Sequence, residues 1–185
     1  FYDLLLHARD RAYTVNDFAA LAGTGGLEVV SFIEPTLYDP ATYLKDRTLI
    51  EAAAALPPLE RAAMAEEIAG MLTKHVAYLA PGRRQPAQPT SPEMTPILRD
   101  SNGPALAEAA RAGRLTAKHM GVEIRRSLPR AAPAILKRVD GIATLGEIQR
   151  EIAVADAKMD WPRFQSEFTQ VFDALAGVNL IWLRR

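Results

Sequence analysis

Along this chain apolar positions recur mostly at helical spacing, interrupted by two short stretches with the composition of strands. Thr14-Val15-Asn16-Asp17 has the spacing of a capping box. Thr14 is expected to cap a helix, while Asp17, three residues on, favours its positive end. Phe18, Leu21 and Ala22 supply an apolar face. Gly23, Gly25 and Gly26 then stop the helix, because glycine takes the left-handed C-terminal conformation cheaply. LEVVSFIEP follows, β-branched and aromatic and closed by Pro35, and predicts a strand. Helix, glycine turn and strand make one α/β unit. One such unit is not a domain, since a sheet strand needs neighbours on its edges and faces.

From about Arg47 the pattern turns helical. TLIEAAAAL runs up to Pro57-Pro58, and a longer helix is predicted from about Leu59 to Leu79. Its stripe would be Ile68, Met71, Leu72, His75, Val76 and Leu79. APGRRQPAQPTSPEMTP is rich in proline, glutamine and serine and predicts an exposed, semi-extended linker. GPALAEAARAGRL reads as a short helix, and LPRAAPAILKRVDG as a helix ending at Gly141. TLGEIQREIAVA opens on a second capping box, Thr144 to Glu147. Asp160 caps a further helix with Pro162 in its first turn. Phe164, Phe168, Val171, Phe172 and Leu175 form its stripe, and Gly177 ends it. VNLIWLRR closes the chain as a strand. Three helices and a terminal strand suggest a winged-helix-like module. The expected organisation is residues 1–46 as the end of an α/β domain, 47–82 as a helical extension, 83–100 as linker and 101–185 as the accessory module.

Composition narrows the function classes. The chain has 185 residues, 49% of them apolar, which suits one large domain or two small ones with a real core. Lys plus Arg equals Asp plus Glu at 22 each, so no global basic field draws the chain to nucleic acid or to an anionic membrane. The absence of cysteine excludes disulfides, thiolate metal sites and a cysteine nucleophile, and fits a reducing compartment. A cytoplasmic location is expected. No apolar stretch approaches the roughly 20 residues a membrane span needs, and early Asp3 with no basic n-region does not read as a signal peptide.

YDLLLHARDRAYTVNDFAALAGTGGLEVVSFIEPTLYDPATYL resembles the C-terminal part of the catalytic domain of bacterial class I S-adenosylmethionine-dependent methyltransferases. In that family a similar segment leads into a late helix and a strand. AEEIAGMLTKHVAYLAPG is similar to the continuation beyond that domain. ILKRVDGIATLGEIQREI with FTQVFDALAGVNLIWLR resembles the accessory C-terminal domain some members carry. Abundant Ala with moderate Gly and Pro predicts a mostly helical chain with a minor β part, and the resemblance implies the tail of a doubly wound α/β domain, followed by a helical extension and a winged-helix-like module. It implies S-adenosylmethionine as cofactor of the parent protein and a methyl acceptor as its partner.

The family binds its cofactor with early strands and a glycine-rich turn after the first of them. An acid at the end of the second strand takes the ribose hydroxyls. The only glycine cluster here, GTGG at residues 23–26, follows a helix and precedes a strand, the reverse order. No cofactor-binding residue is therefore expected in this chain, and alone it is expected to be inactive. The opening, with Leu4-Leu5-Leu6 at once and nothing upstream to pack against, reads as the interior of a longer catalytic domain.

The densest polar group near the presumed catalytic face is His7, Arg9, Asp10 and Arg11 beside Tyr13. A histidine there could act as general base on the acceptor, and arginines could hold a carboxylate or phosphate bidentately. The structural alternative is Asp10 paired with an arginine, fixing the loop before the helix. Alignment of nucleophile, methyl and sulfonium supplies much of the rate in methyl transfer, so a base is not always needed. His75, on an apolar stripe, reads as a packed core histidine with one bonded nitrogen. His119 has no acidic or histidine partner at helical spacing, and a protein-ligated zinc is not expected.

A DNA-reading role for TLGEIQREIAVA would use Gln149 and Arg150. Glu147 and Glu151 on the same helix repel phosphate, and the nearby run Arg125, Arg126, Arg130, Lys137 and Arg138 reads as a solvated face, so a nucleic-acid partner is not expected. Trp161, Trp182 and the phenylalanines read as core rather than as a ligand box. Leu4-Leu5-Leu6, without sheet partners, would be an apolar patch able to self-associate into a homodimer. Three readings stand: an enzyme fragment with a substrate-recognition or regulatory module, a non-enzymatic regulatory or interaction protein, and a winged-helix DNA binder.

Overall fold

The computed structural model describes residues 11–185, and the expectations placed on residues 1–10 lie outside it. The architecture is mixed α/β, 44% helix and 18% strand. Among the described residues the strands form three two-stranded antiparallel sheets and no parallel pair. No helix is long and apolar enough to cross a membrane among the described residues. The chain divides into two compact units, one holding residues up to 32 and 38–84, the other residues 33–37 and 85–185.

In the first unit, α1 (Val15–Thr24) starts where its capping box places it. Thr14 Oγ1 accepts the Asp17 amide at 3.1 Å, and Asp17 Oδ2 accepts the Thr14 amide at 3.2 Å. Gly25 caps the other end, and Gly26 at φ 71° turns the chain into β1 (Leu27–Phe32). Helix α2 (Arg47–Ala54) is capped by Asp46, whose Oδ1 accepts the Thr48 and Leu49 amides at 2.8 and 3.1 Å. α3 (Pro58–Ala69) follows with proline in its first turn.

The predicted helix from Leu59 to Leu79 does not reach Leu79. Gly70 takes the left-handed conformation at φ 59°, donates its N–H to the Glu66 carbonyl and ends α3. Beyond an irregular stretch, Ala77–Pro81 forms β2, antiparallel to β1 from Leu27↔Pro81 to Phe32↔Ala77, with a bulge between Val29 and Ser31. The apolar spacing at 68–79 therefore spans a helix end, a loop and a strand. Ile68, Met71, Val76 and Leu79 remain partly exposed. β1 is not alone either: its partner comes from 45 or more residues downstream.

In the second unit the core lies on α7 (Trp161–Ala176), capped by Asp160 at the Arg163 amide. Phe164, Phe168, Val171, Phe172 and Leu175 are all buried on one face, as their spacing predicts. The rings of Phe164, Phe168 and Phe172 form a ladder with centroids 5.9 and 6.3 Å apart. Packed in the same core are Leu145, Ile148 and Ile152 of α6 (Leu145–Ala155), and Ile135 and Leu136 of α5 (Ala132–Leu136). The second capping box forms as expected, with the Glu147 amide 3.2 Å from Thr144 Oγ1 and the Thr144 amide 2.8 Å from Glu147 Oε2. The helix expected to end at Gly141 is shorter, stopping at Leu136. Turns follow, and Asp140 Oδ1 accepts the Ile142 and Ala143 amides, both at 2.8 Å.

Two further stretches depart from expectation. Residues 94–98, read as linker, contain β3 (Thr95–Leu98), which pairs antiparallel with β6 (Ile181–Arg184), the predicted terminal strand. Pro89, Met94, Thr95 and Pro96 are buried. The proline-rich segment is a strap: carbonyls of Pro89, Pro92 and Met94 accept from Gln165 Nε2 and from the Gly146 and Leu145 amides at 3.0, 2.8 and 2.8 Å. Proline brings an apolar ring and an acceptor but no donor, so this backbone buries with few unsatisfied groups. The helix expected over residues 103–115 ends at Ala110 as α4 (Gly103–Ala110), and Arg114-Leu115, its expected end, instead open a hairpin, β4 (Arg114–His119) and β5 (Val122–Ser127), whose remainder the helical pattern does not predict. Met120 and Gly121 have φ of 46° and 81°, the signature of a two-residue type I′ turn. Alternation over Leu115, Ala117 and His119, then Val122 and Ile124, was its signal in the sequence.

Candidate functional site

The buried polar cluster of the first unit is built on His75, in the loop between α3 and β2, whose side chain is only 5% exposed. Its Nδ1 lies 3.0 Å from the Tyr38 hydroxyl, and its Nε2 lies 3.0 Å from Glu66 Oε1. Glu66, on the last turn of α3, uses its other oxygen to accept the Val15 amide at 2.8 Å. That amide is one of the orphan donors of the first turn of α1. The carboxylate accepts only. It takes Nε2–H, while Nδ1 shares a hydrogen bond with the Tyr38 hydroxyl, which also lies 3.5 Å from the Lys74 carbonyl oxygen. The chain of bonds thus runs from phenol to imidazole to carboxylate.

Aromatic rings enclose this chain. Phe32 stacks on Tyr38 at 4.1 Å between centroids, and Phe18 and Phe32 lie 6.3 and 6.0 Å from the His75 ring. A carboxylate–imidazole–hydroxyl series has the order used to activate a nucleophile. A working base or nucleophile must also reach a substrate atom. Tyr38 is buried beneath the rings, 7% exposed. The geometry instead ties together the start of α1, the end of α3 and the approach to β2. The sequence places His75 in the core, and that is where it lies. It sits on a loop rather than on a helical stripe, however, and both of its nitrogens are bonded. Neither Tyr38 nor Glu66 was singled out, because residues 9 and 37 positions from His75 carry no spacing signal.

Of the acceptor-side candidates, His7, Arg9 and Asp10 lie outside the described residues. Arg11 and Tyr13 are described. The Arg11 guanidinium carbon sits 5.1 Å from the Tyr13 ring centroid, a surface cation–π contact beside the helix cap. Arg11 also adds to the lowering of the Asp17 carboxyl, whose main cause is the Thr14 amide. His119, which lacks a partner at helical spacing, finds one through the fold: its Nε2 is 3.5 Å from Glu34 Oε2. Trp182 donates to Asn179 Oδ1 at 3.2 Å, and Trp161 packs on Phe164 at 5.8 Å.

Among the described residues, the GTGG cluster at 23–26 does not fit S-adenosylmethionine. Gly23, Gly25 and Gly26 form the end of α1 and the turn into β1, so the helix N-terminus and the parallel-strand edge that a dinucleotide-type turn requires are missing from this cluster. Compared with protein-family models and with curated proteins, the chain matches none.

Proposed function

We propose that this chain is the C-terminal part of a class I S-adenosylmethionine-dependent methyltransferase. On this reading α1, β1 and β2 form the closing edge of the catalytic sheet, and the second unit is a substrate-recognition or regulatory module with its own core. The observation that carries the reading is the order helix, glycine turn, strand, then antiparallel partner strand. Doubly wound sheets often end in an antiparallel edge strand. A two-stranded sheet is marginal alone, and the first unit leaves Leu21, Leu49, Val76, Tyr78 and Leu79 partly or largely exposed. That exposure is expected of a piece whose remaining sheet covers it.

The DNA-reading alternative through α6 draws no support from its side chains. Gln149 donates to the Met159 carbonyl at 2.6 Å, Arg150 to the Gly146 carbonyl at 3.2 Å, and Glu151 pairs with Arg138 at 3.1 Å. These groups are engaged within the fold.

Calorimetry tests the proposal. Titration of S-adenosylmethionine into the 185-residue chain is expected to give no binding heat, and titration into the product of the whole reading frame is expected to show binding. The reading frame upstream of Phe1 should encode a strand followed by a glycine-rich turn. Micromolar binding by this chain alone, or a start codon directly before Phe1, overturns the reading.

A further inference from the structure

The neutral total conceals a segregated charge. Residues 111–138 carry eight lysines and arginines and a single acid, Glu123. The β4–β5 hairpin arranges part of that charge on one face. Strand alternation turns Leu115, Ala117, Val122 and Ile124 to one side, with Ile124 only 2% exposed. On the other side, all exposed, are Arg114, Thr116 and Lys118 of β4 and Glu123, Arg125 and Ser127 of β5. In register Arg114 faces Ser127, Thr116 faces Arg125 and Lys118 faces Glu123. Glu123 grips Arg125 through two bonds of 3.0 Å and fixes its guanidinium in place. Arg114 and Lys118 have no ion pair among the described residues, and neither do Arg126, Arg130 and Lys137.

We propose that this face of the β4–β5 ribbon binds the phosphate backbone of a nucleic acid without regard to sequence. Arg114, Lys118 and Arg125 would neutralise phosphates, and the Thr116 and Ser127 hydroxyls would donate to phosphate oxygens. The face is composed of cations and hydroxyls, the groups that make most phosphate contacts. It carries no aromatic or large apolar side chain, the anchors of a protein interface and of membrane insertion. A two-stranded ribbon has the cross-section that a DNA major groove admits. Arg114 and Arg125 are diagonal neighbours about 7 Å apart by strand geometry, and Lys118 lies about 13 Å along the strand from Arg114. The inference does not depend on methyl transfer. It also differs from base reading through α6, since it uses backbone charge alone.

The test is fluorescence anisotropy with the full chain, using labelled 20-nucleotide duplex DNA, duplex RNA and single-stranded RNA. Binding should weaken with salt, with a logarithmic slope near −3 for three duplex phosphates. Arg114→Gln/Lys118→Gln/Arg125→Gln should bind at least tenfold more weakly and lose most of that slope. Glu123→Gln, which removes the only acid of the face, should bind more tightly; it decides the matter if the triple variant loses its circular-dichroism signature. The duplex and single-strand arms distinguish the nucleic acid. No binding at low salt overturns the proposal, as does unchanged binding in both variants. Equal competition by polyglutamate or by phosphatidylserine vesicles also overturns it, assigning the face to an acidic protein or a membrane.

Discussion

The Tyr38 hydroxyl lies 3.0 Å from His75 Nδ1, and the other nitrogen of that ring is held at 3.0 Å by Glu66. One imidazole so joins a turn, a helix and a loop that are far apart in sequence. If the cluster is a structural tie, Tyr38→Phe should cost about 1 kcal/mol, and His75→Ala about 2–3 kcal/mol because two partners are stranded. Urea denaturation of each variant checks this. An unchanged midpoint in His75→Ala would show that the tie holds nothing.

Gln165 should anchor the proline-rich strap. Its amide spans 76 residues to reach the buried Pro89 carbonyl. Gln165→Leu should cost about 1 kcal/mol and raise hydrogen exchange over residues 88–94, leaving exchange at Phe168 and Phe172 unchanged. A free linker would show no difference between variant and wild type.

Gly103 permits a close approach. A Cβ there would meet the carbonyl oxygens of Leu136 and Val139, both backbone atoms that cannot swing aside. Gly103→Ala should therefore destabilise the second unit by about 1–3 kcal/mol, although alanine is the better helix former. Thermal melting reads the sign directly: a rise in Tm would contradict the close packing of α4 on α5.

Acid should loosen the loop before α6. The Ala143 amide, followed by that of Ile142, holds the Asp140 carboxyl below its ordinary value of 3.8. A depressed folded pKa stabilises the native state above the unfolded value, and this contribution is lost as pH falls through 3.8 and below. Asp140→Asn should remove that part of the pH dependence of stability between about pH 5 and pH 2 while leaving the rest of the acid limb. A limb identical to wild type would mean that the two amide bonds carry no linkage.

Where a signal is local, the sequence was legible. Both capping boxes close within three residues, and the α7 stripe repeats every three to four, so Thr14, Thr144 and the phenylalanines lie where their spacing puts them. The expectation for His75 was right in burial and wrong in element, because the period through 68–79 continues across the Gly70 break. Only the tertiary structure decided that Ala77–Pro81 pairs with Leu27–Phe32, and that the proline-rich strap reaches β6 through Thr95–Leu98. Strand pairing draws its free energy from backbone partners 45 to 89 positions away, and no window of neighbouring residues encodes which partner that will be. Charge behaves in the same way. A sum over the chain is zero, and it takes the two-residue turn at Met120-Gly121 to fold Arg114, Lys118 and Arg125 onto a single face.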